Sequence, residues 1–326
     1  MTDVTGSFHG ISFRVGSGCP AWLDYTKKYM APFIVETPVT PTRLSVRLRT
    51  ARDNVAPSSN RLITLGRHIA HCHEGIEWWI PGQHRFYCHV CLPERECTNT
   101  ITVDICDIEP LWRRIAKRVV SGRETRLNRY MTGIREGLVI PLTALAERER
   151  GLVLLHASGV AVDGLALLFA GFNGAGKSGL ALEFLKQPGA KLRGDNYVLV
   201  DPKQKRVYGF PEPVRVDPRV LPSAAEWGAP IGHAFGKMQW LCDPRWVGTS
   251  AEIRTIVLLQ IGDPGFVIEH KPNEFARNLY SMLTYVDEGP GRSYFDVIAD
   301  YSCQLQPRPD TQNMLLQLCS SLQCLT

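Results

Sequence analysis

The stretch "LALLFAGFNGAGKSGLALEFL", Leu165 to Leu185, decides how the second half of this chain is read. Leu165 to Ala170 is an apolar run of strand length, and Leu180, Leu182, Phe184 and Leu185 recur behind it at helical spacing. Between the two runs stand Gly171, Phe172, Asn173, Gly174, Ala175, Gly176, Lys177 and Ser178, a full match to G-x-x-x-x-G-K-[ST], with Gly179 next. Three glycines cost stability unless the backbone must curl where other residues cannot. A polyphosphate supplies that reason, because successive backbone N–H groups can point at it from a loop that opens a helix. Lys177 then reaches the outer phosphates and the Ser178 hydroxyl holds magnesium. A nucleotide site lined by Gly171, Asn173, Gly174, Ala175, Gly176, Lys177, Ser178 and Gly179 is therefore expected.

Upstream, "GLVLLHASGVAV" reads as a strand and Asp163-Gly164 as a two-residue hairpin turn, which sets His156 opposite Gly171. Downstream, Pro188-Gly189 stops the helix. "AKLRGD" is then expected to return as a strand parallel to "LALLFA", carrying Asp195 to the edge where the phosphates lie. One histidine and one carboxylate so converge on the loop. Taken singly, the plainer readings are a core histidine and a turn aspartate. "AKLRGDNYVLVD" and "KRVYGFPEPVRV" are expected as strands about a turn at "PKQK", and the tail from Arg292 as helix, short strand, helix.

The chain has 326 residues, room for two domains. Its fold class is read as α/β: a phosphate-loop domain over 151–326 with a mixed sheet and flanking helices, preceded by a smaller α+β module over 1–150. In that module "SFHGISFRV", "RLSVRLRT", "EWWIPGQHRFYCHV" and "TITVDIC" read as strands, with a turn at Pro81-Gly82. "CPAWLDYTKKYMAPFI", Leu111–Val120 and Asn128–Arg148 read as helical, and the module is a candidate for substrate or partner recognition.

A hydrophobic share of 44% with 21% charged residues excludes a disordered or fibrous chain. The apolar region Leu152–Ala175 is interrupted by His156, Ser158 and Asp163, so paired strands are expected rather than a membrane span. "MTDVTGSFHG" has neither a basic start nor an apolar core, so a cytoplasmic location is expected. Without an export signal, ten cysteines argue against a disulfide framework. Cys72, Cys88, Cys91, Cys97 and Cys106 share a window with His71, His73, His84 and His89, and Cys88-x-x-Cys91 has zinc-ligand spacing. No second pair completes the pattern, and core or surface thiols are the preferred reading. The basic stretch Trp112–Arg135 reads as a solvated helix face; no RNA- or DNA-binding signature accompanies it, and nucleic acid is not an expected partner.

"LLHASGVAVDGLALLFAGFNGAGKSGLALEFLKQPGAKLRGDNYVLVD", Leu154 to Asp201, resembles the HPr kinase/phosphorylase catalytic domain, whose phosphate-loop fold is related to phosphoenolpyruvate carboxykinase. The resemblance rests on His156 before the loop, the loop itself, Ala181-Leu182-Glu183 on the helix, and Asp195 where the family has paired aspartates. It implies ATP- and magnesium-dependent phosphorylation of a serine hydroxyl. Asp195 would take the hydroxyl proton and share the metal with Ser178, His156 would set the charge state of Asp195, and Lys177 would offset phosphoryl charge. Asn196 stands where the second aspartate is expected, and Gly179 where bifunctional members have glutamate. "GPGRS", Gly289 to Ser293, is the nearest approach to the family's later substrate signature. HPr as acceptor, reverse phosphorolysis and a hexamer are not carried over; the acceptor is a peptide, protein or small-molecule hydroxyl, and a homo-oligomer is left open. The competing readings are a nucleotide-gated binding protein and a metal or nucleic-acid adaptor.

Overall fold

The run "SFHGISFRV", expected as one strand, is two. His9 and Gly10 both take positive φ, 49° and 90°, so β1 (Asp3–Phe8) turns tightly into β2 (Ile11–Ser17) with Phe8 opposite Ile11. His-Gly is not among the strong hairpin pairs, which is why alternation alone carries the reading across it. These positions come from a computed structural model, which describes residues 3–37, 40–50, 62–65, 68–73, 77–81, 86–91, 100–107, 126–216, 227–234, 237–260, 267–287, 306 and 308–326.

The fold is mixed α/β, with several sheets and few helices. Two units are built, Met1–Arg150 with Gly289–Arg308, and Gly151–Glu288 with Pro309–Thr326. In the first, α1 (Pro20–Tyr29) opens on Pro20, where a missing N–H costs nothing, and buries Trp22, Leu23, Tyr25 and Tyr29. It leads to β3 (Leu44–Thr50), parallel to β2. β4 (Leu62–Leu65), β5 (His68–His73), β6 (Glu77–Pro81), β7 (Phe86–Cys91) and β8 (Ile101–Asp107) follow as an antiparallel meander, and β8 lies parallel to β3. The helix expected at Asn128–Arg148 is α2 (Arg126–Ile134), a π turn over Arg135–Val139, and α3 (Ile140–Arg150). Trp22 and Tyr130 join α1 to α2 with ring centroids 4.6 Å apart. Gln306 and Arg308 belong to this unit: Arg148 Nη1 donates to Gln306 O at 2.8 Å, and Arg308 lies 3.6 Å from the buried Glu147. The helix expected at Leu111–Val120, most of the basic stretch, Gly82, His84, Cys97 and Gly289–Ser293 lie outside the described residues.

In the second unit come β9 (Val153–Leu155), β10 (Ala157–Val162), β11 (Leu165–Gly171), α4 (Lys177–Leu185), β12 (Lys191–Gly194), β13 (Val198–Asp201), β14 (Arg206–Tyr208), β15 (Val214–Val216), β16 (Gly228–Ala234), β17 (Lys237–Cys242), β18 (Ser250–Leu259), α5 (Pro272–Asp287), α6 (Thr311–Cys319) and β19 (Gln323–Leu325). The Asp163-Gly164 hairpin has the expected register, with Val162 opposite Leu165. Two expected strands are broken, however. "GLVLLHASGVAV" divides at His156, β9 pairing with β13 and β10 with β11; "AKLRGDNYVLVD" divides at Asp195–Tyr197 into β12 and β13. β12 runs in the direction of β11, but β10 lies between them, because the other edge of β11 is filled by β18.

One face of this sheet packs Leu168, Val198 and Ile256 against Phe275 and Leu279 of α5 and Leu315 and Leu318 of α6. The other packs Val160 and Phe169 against Ala181, Leu182 and Leu185 of α4, joined by Val214 of the small sheet β15-β17-β16 and by Trp227 just before β16. Burial stabilises each such Leu, Ile or Phe by roughly 1.5–3 kcal/mol. That packing holds α4 with its first turn at the glycine loop. Among the described residues no helix is long and apolar enough to cross a membrane.

Candidate functional site

The loop after β11 leaves Phe172, Asn173 and Gly174 exposed, and Gly174 and Gly176 take φ of 91° and 95°. Gly176 is the N-cap of α4, a position where its left-handed backbone costs little and where no side chain caps the first N–H groups. Lys177 points inward: its Nζ donates to Gly171 O at 2.7 Å and Phe172 O at 3.0 Å, and the residue is buried. Ser178, half-buried on the first turn, donates from Oγ to Asp195 Oδ1 at 2.7 Å. The structure therefore brings Asp195 against the loop, as the sequence predicts, by way of the bend between β12 and β13.

Asp195 is 1% exposed, and among the described residues three donors hold it. Ser158 Oγ of β10 donates to Oδ1 at 2.5 Å beside Ser178, and the Arg215 backbone N–H of β15 donates to Oδ2 at 2.9 Å. Both lone pairs of Oδ1 are thus engaged, and among the described residues Oδ2 keeps one further acceptor position. Asn196 takes φ of 70°, a left-handed conformation that asparagine tolerates well. Its Nδ2 donates to Glu212 Oε2 at 3.3 Å, and the same oxygen lies 3.8 Å from Arg215 Nη2. The Glu212 side chain is 2% exposed, so a second carboxylate stands next to the position where the sequence lacks one.

His156 lies in the break between β9 and β10, fully buried, its ring edge-on to Tyr197 with centroids 5.5 Å apart. The expected register would set it against Gly171 across a continuous ladder; instead the pairing ends at Ala157 with Ala170, and Gly171 pairs with Leu259. Burial first, then the charges of Lys177 and Arg215, push its pKa down to about 4. The Asn173 side chain and Asn196 backbone offset part of that drop, yet neither ring nitrogen closes a hydrogen bond of proper geometry among the described residues. His156 is accordingly a neutral imidazole near pH 7.

Ser158, Glu212 and Arg215 are the site's unforeseen members. Ser158 had a signal, since it lies two residues after His156 and shares its strand pattern. Glu212 and Arg215 had none, because "FPEPVRV" reads as an ordinary strand until β15 is seen on the small sheet beside α4. The donor set fits the groups expected from the sequence: a hydroxyl and a carboxylate in contact suit a hard divalent cation, and an inward lysine under uncapped helix N–H groups suits a polyphosphate. Cys72, Cys88, Cys91 and Cys106 lie on β5, β7 and β8. Compared with known families and characterised proteins, the chain matches none of the family models and none of the curated proteins.

Proposed function

We propose that this chain is an ATP- and magnesium-dependent kinase that phosphorylates a hydroxyl, in first place a serine of a peptide or protein, and otherwise a small-molecule alcohol. One observation carries the reading: Ser178 of the glycine loop and Asp195, distant in sequence, meet at 2.7 Å beside Lys177 and His156. An alcohol is a poor nucleophile, so a carboxylate within reach of its proton helps as the oxygen attacks. Asp195 Oδ2, with an acceptor position left, is suited to take that proton as the new O–P bond forms and the bond to the β-phosphate oxygen breaks. Lys177 offsets charge on the transferring group. Magnesium, held by Ser178 and by the Asp195 Oδ1 lone pair that the Ser178 hydroxyl proton now occupies, would supply further charge neutralisation on the phosphates and leave Oδ2 for the acceptor's proton. His156, neutral and buried, lines the same spot without adding a second cation beside Lys177.

The test is mass spectrometry of candidate peptides and alcohols incubated with the chain, ATP and magnesium. A mass gain of one phosphate is expected with the parent chain and its loss with Asp195→Ala; undiminished transfer by Asp195→Ala sinks the assignment. Asn196 favours the second reading, a nucleotide-gated binding protein, which tight ATP binding with partner capture but no transfer to any acceptor would support.

A further inference from the structure

The geometry points to Arg215 as a residue that contacts the terminal phosphate of the bound nucleotide, closing with Lys177 a two-cation clamp whose second arm comes from the small sheet rather than the loop. The inference rests on the kinase reading above. Val214 fixes the strand, being 2% exposed and packed in the core with Ala181 and Leu182 of α4. The next residue donates its backbone N–H to Asp195 Oδ2 at 2.9 Å, so the Arg215 backbone stays at the carboxylate whatever its side chain does. Strand alternation sends that side chain to the face opposite Val214.

What the guanidinium meets there is incomplete. Its Nη2 lies 3.8 Å from Glu212 Oε2, too far for a hydrogen bond, and its buried Nε has no hydrogen-bond partner among the described residues. Directly across on β17 stands Gln239, 1% exposed, its Oε1 also without a partner among the described residues. A buried polar group usually finds at least one hydrogen-bond partner, and an arginine has five donors to place. This one is steered by Glu212 but not saturated, and its charge reaches His156 together with that of Lys177. Two cations converging on one neutral imidazole beside a glycine loop form a site for a polyanion, and a guanidinium fork matches phosphate oxygens in pairs.

Calorimetric titration of the full chain separates this inference from the reading beneath it. The probes are the magnesium complexes of ADP and of the non-hydrolysable β,γ-imido analogue of ATP. The parent chain is expected to prefer the triphosphate. Arg215→Ala, which keeps the backbone N–H to Asp195, should weaken triphosphate binding about tenfold or more and leave ADP within about threefold. Arg215→Lys should fall between the two, and it decides the matter if Arg215→Ala does not fold: an unchanged triphosphate preference in Arg215→Lys overturns the inference. So does Arg215→Ala binding both probes as the parent does, with the kinase reading left standing. Equal loss of both probes also overturns it, since a disturbed Asp195 gives that result. A parent chain that binds neither probe removes the kinase reading and this inference with it.

Discussion

Lowering the pH from about 7.5 to about 5 should cost the parent chain about 2 kcal/mol of stability that a His156→Gln variant does not lose. The imidazole is 1% exposed, and burial, Lys177 and Arg215, in that order, hold its pKa at about 4 against an ordinary 6.5. As pH falls, the unfolded chain takes up the proton first. Between 6.5 and about 4 the unfolded state therefore carries more bound protons, and stability declines with pH through that window. The contribution is fully present above 6.5, and nothing further is lost below about 4. At about pH 5 the unfolded imidazole is roughly 97% protonated and the folded one roughly 10%, which integrates to about 2 kcal/mol; the limit at lower pH is about 3 kcal/mol. Urea unfolding of both proteins, followed by circular dichroism at both pH values, gives the comparison, and taking the difference cancels the carboxylates common to the two. Equal losses in parent and variant would refute the argument, because a partly solvated or hydrogen-bonded imidazole has no such gap.

Three substitutions probe the scaffold around Asp195. Gly194→Ala sets a Cβ 2.3 Å from the backbone oxygen of Tyr197, so the bend carrying Asp195 must shift; a loss of about 2–3 kcal/mol is expected in thermal unfolding. Gly179→Ala meets nothing within 4 Å and sits inside α4, so the same measurement should show a gain of roughly 0.5–1 kcal/mol. Asn196→Asp replaces an amide donor with a carboxylate beside Glu212 Oε2 and should cost about 1–3 kcal/mol, restored in large part by adding Glu212→Gln. A double-mutant cycle in urea reads that coupling, and additive effects would show that the two side chains do not interact.

Most of the site was legible because its first half is local. The glycine loop, the hairpin at Asp163-Gly164 and the helix behind Lys177 are encoded in consecutive residues, and each forms where its pattern lies. The strand interruptions were legible in part. Alternation runs through His156 with no proline or turn pair to mark the break, whereas Gly194-Asp195-Asn196 carries the turn signal behind the plainer reading of Asp195; each strand leaves its partner there for another. Arg215 and Glu212 were invisible for a different reason. Their distance from Asp195 is set by Val214 docking on α4, a contact between elements that no window of sequence contains.

The charges at this spot favour an amide rather than a carboxylate at 196. Glu212 lies 3.8 Å from the Arg215 guanidinium, Asp195 accepts from the Arg215 backbone N–H, and the neutral His156 adds no charge. A carboxylate at 196 would share the bend with Asp195 and add a third negative charge beside Glu212. The amide of Asn196 instead donates to Glu212 and keeps it aimed toward Arg215. On the kinase reading, an arriving polyphosphate carries more negative charge than Lys177 and Arg215 alone offset. On the same reading magnesium at Ser178 and Asp195 would supply the rest of the positive charge, and His156 stays neutral beside Lys177 and Arg215.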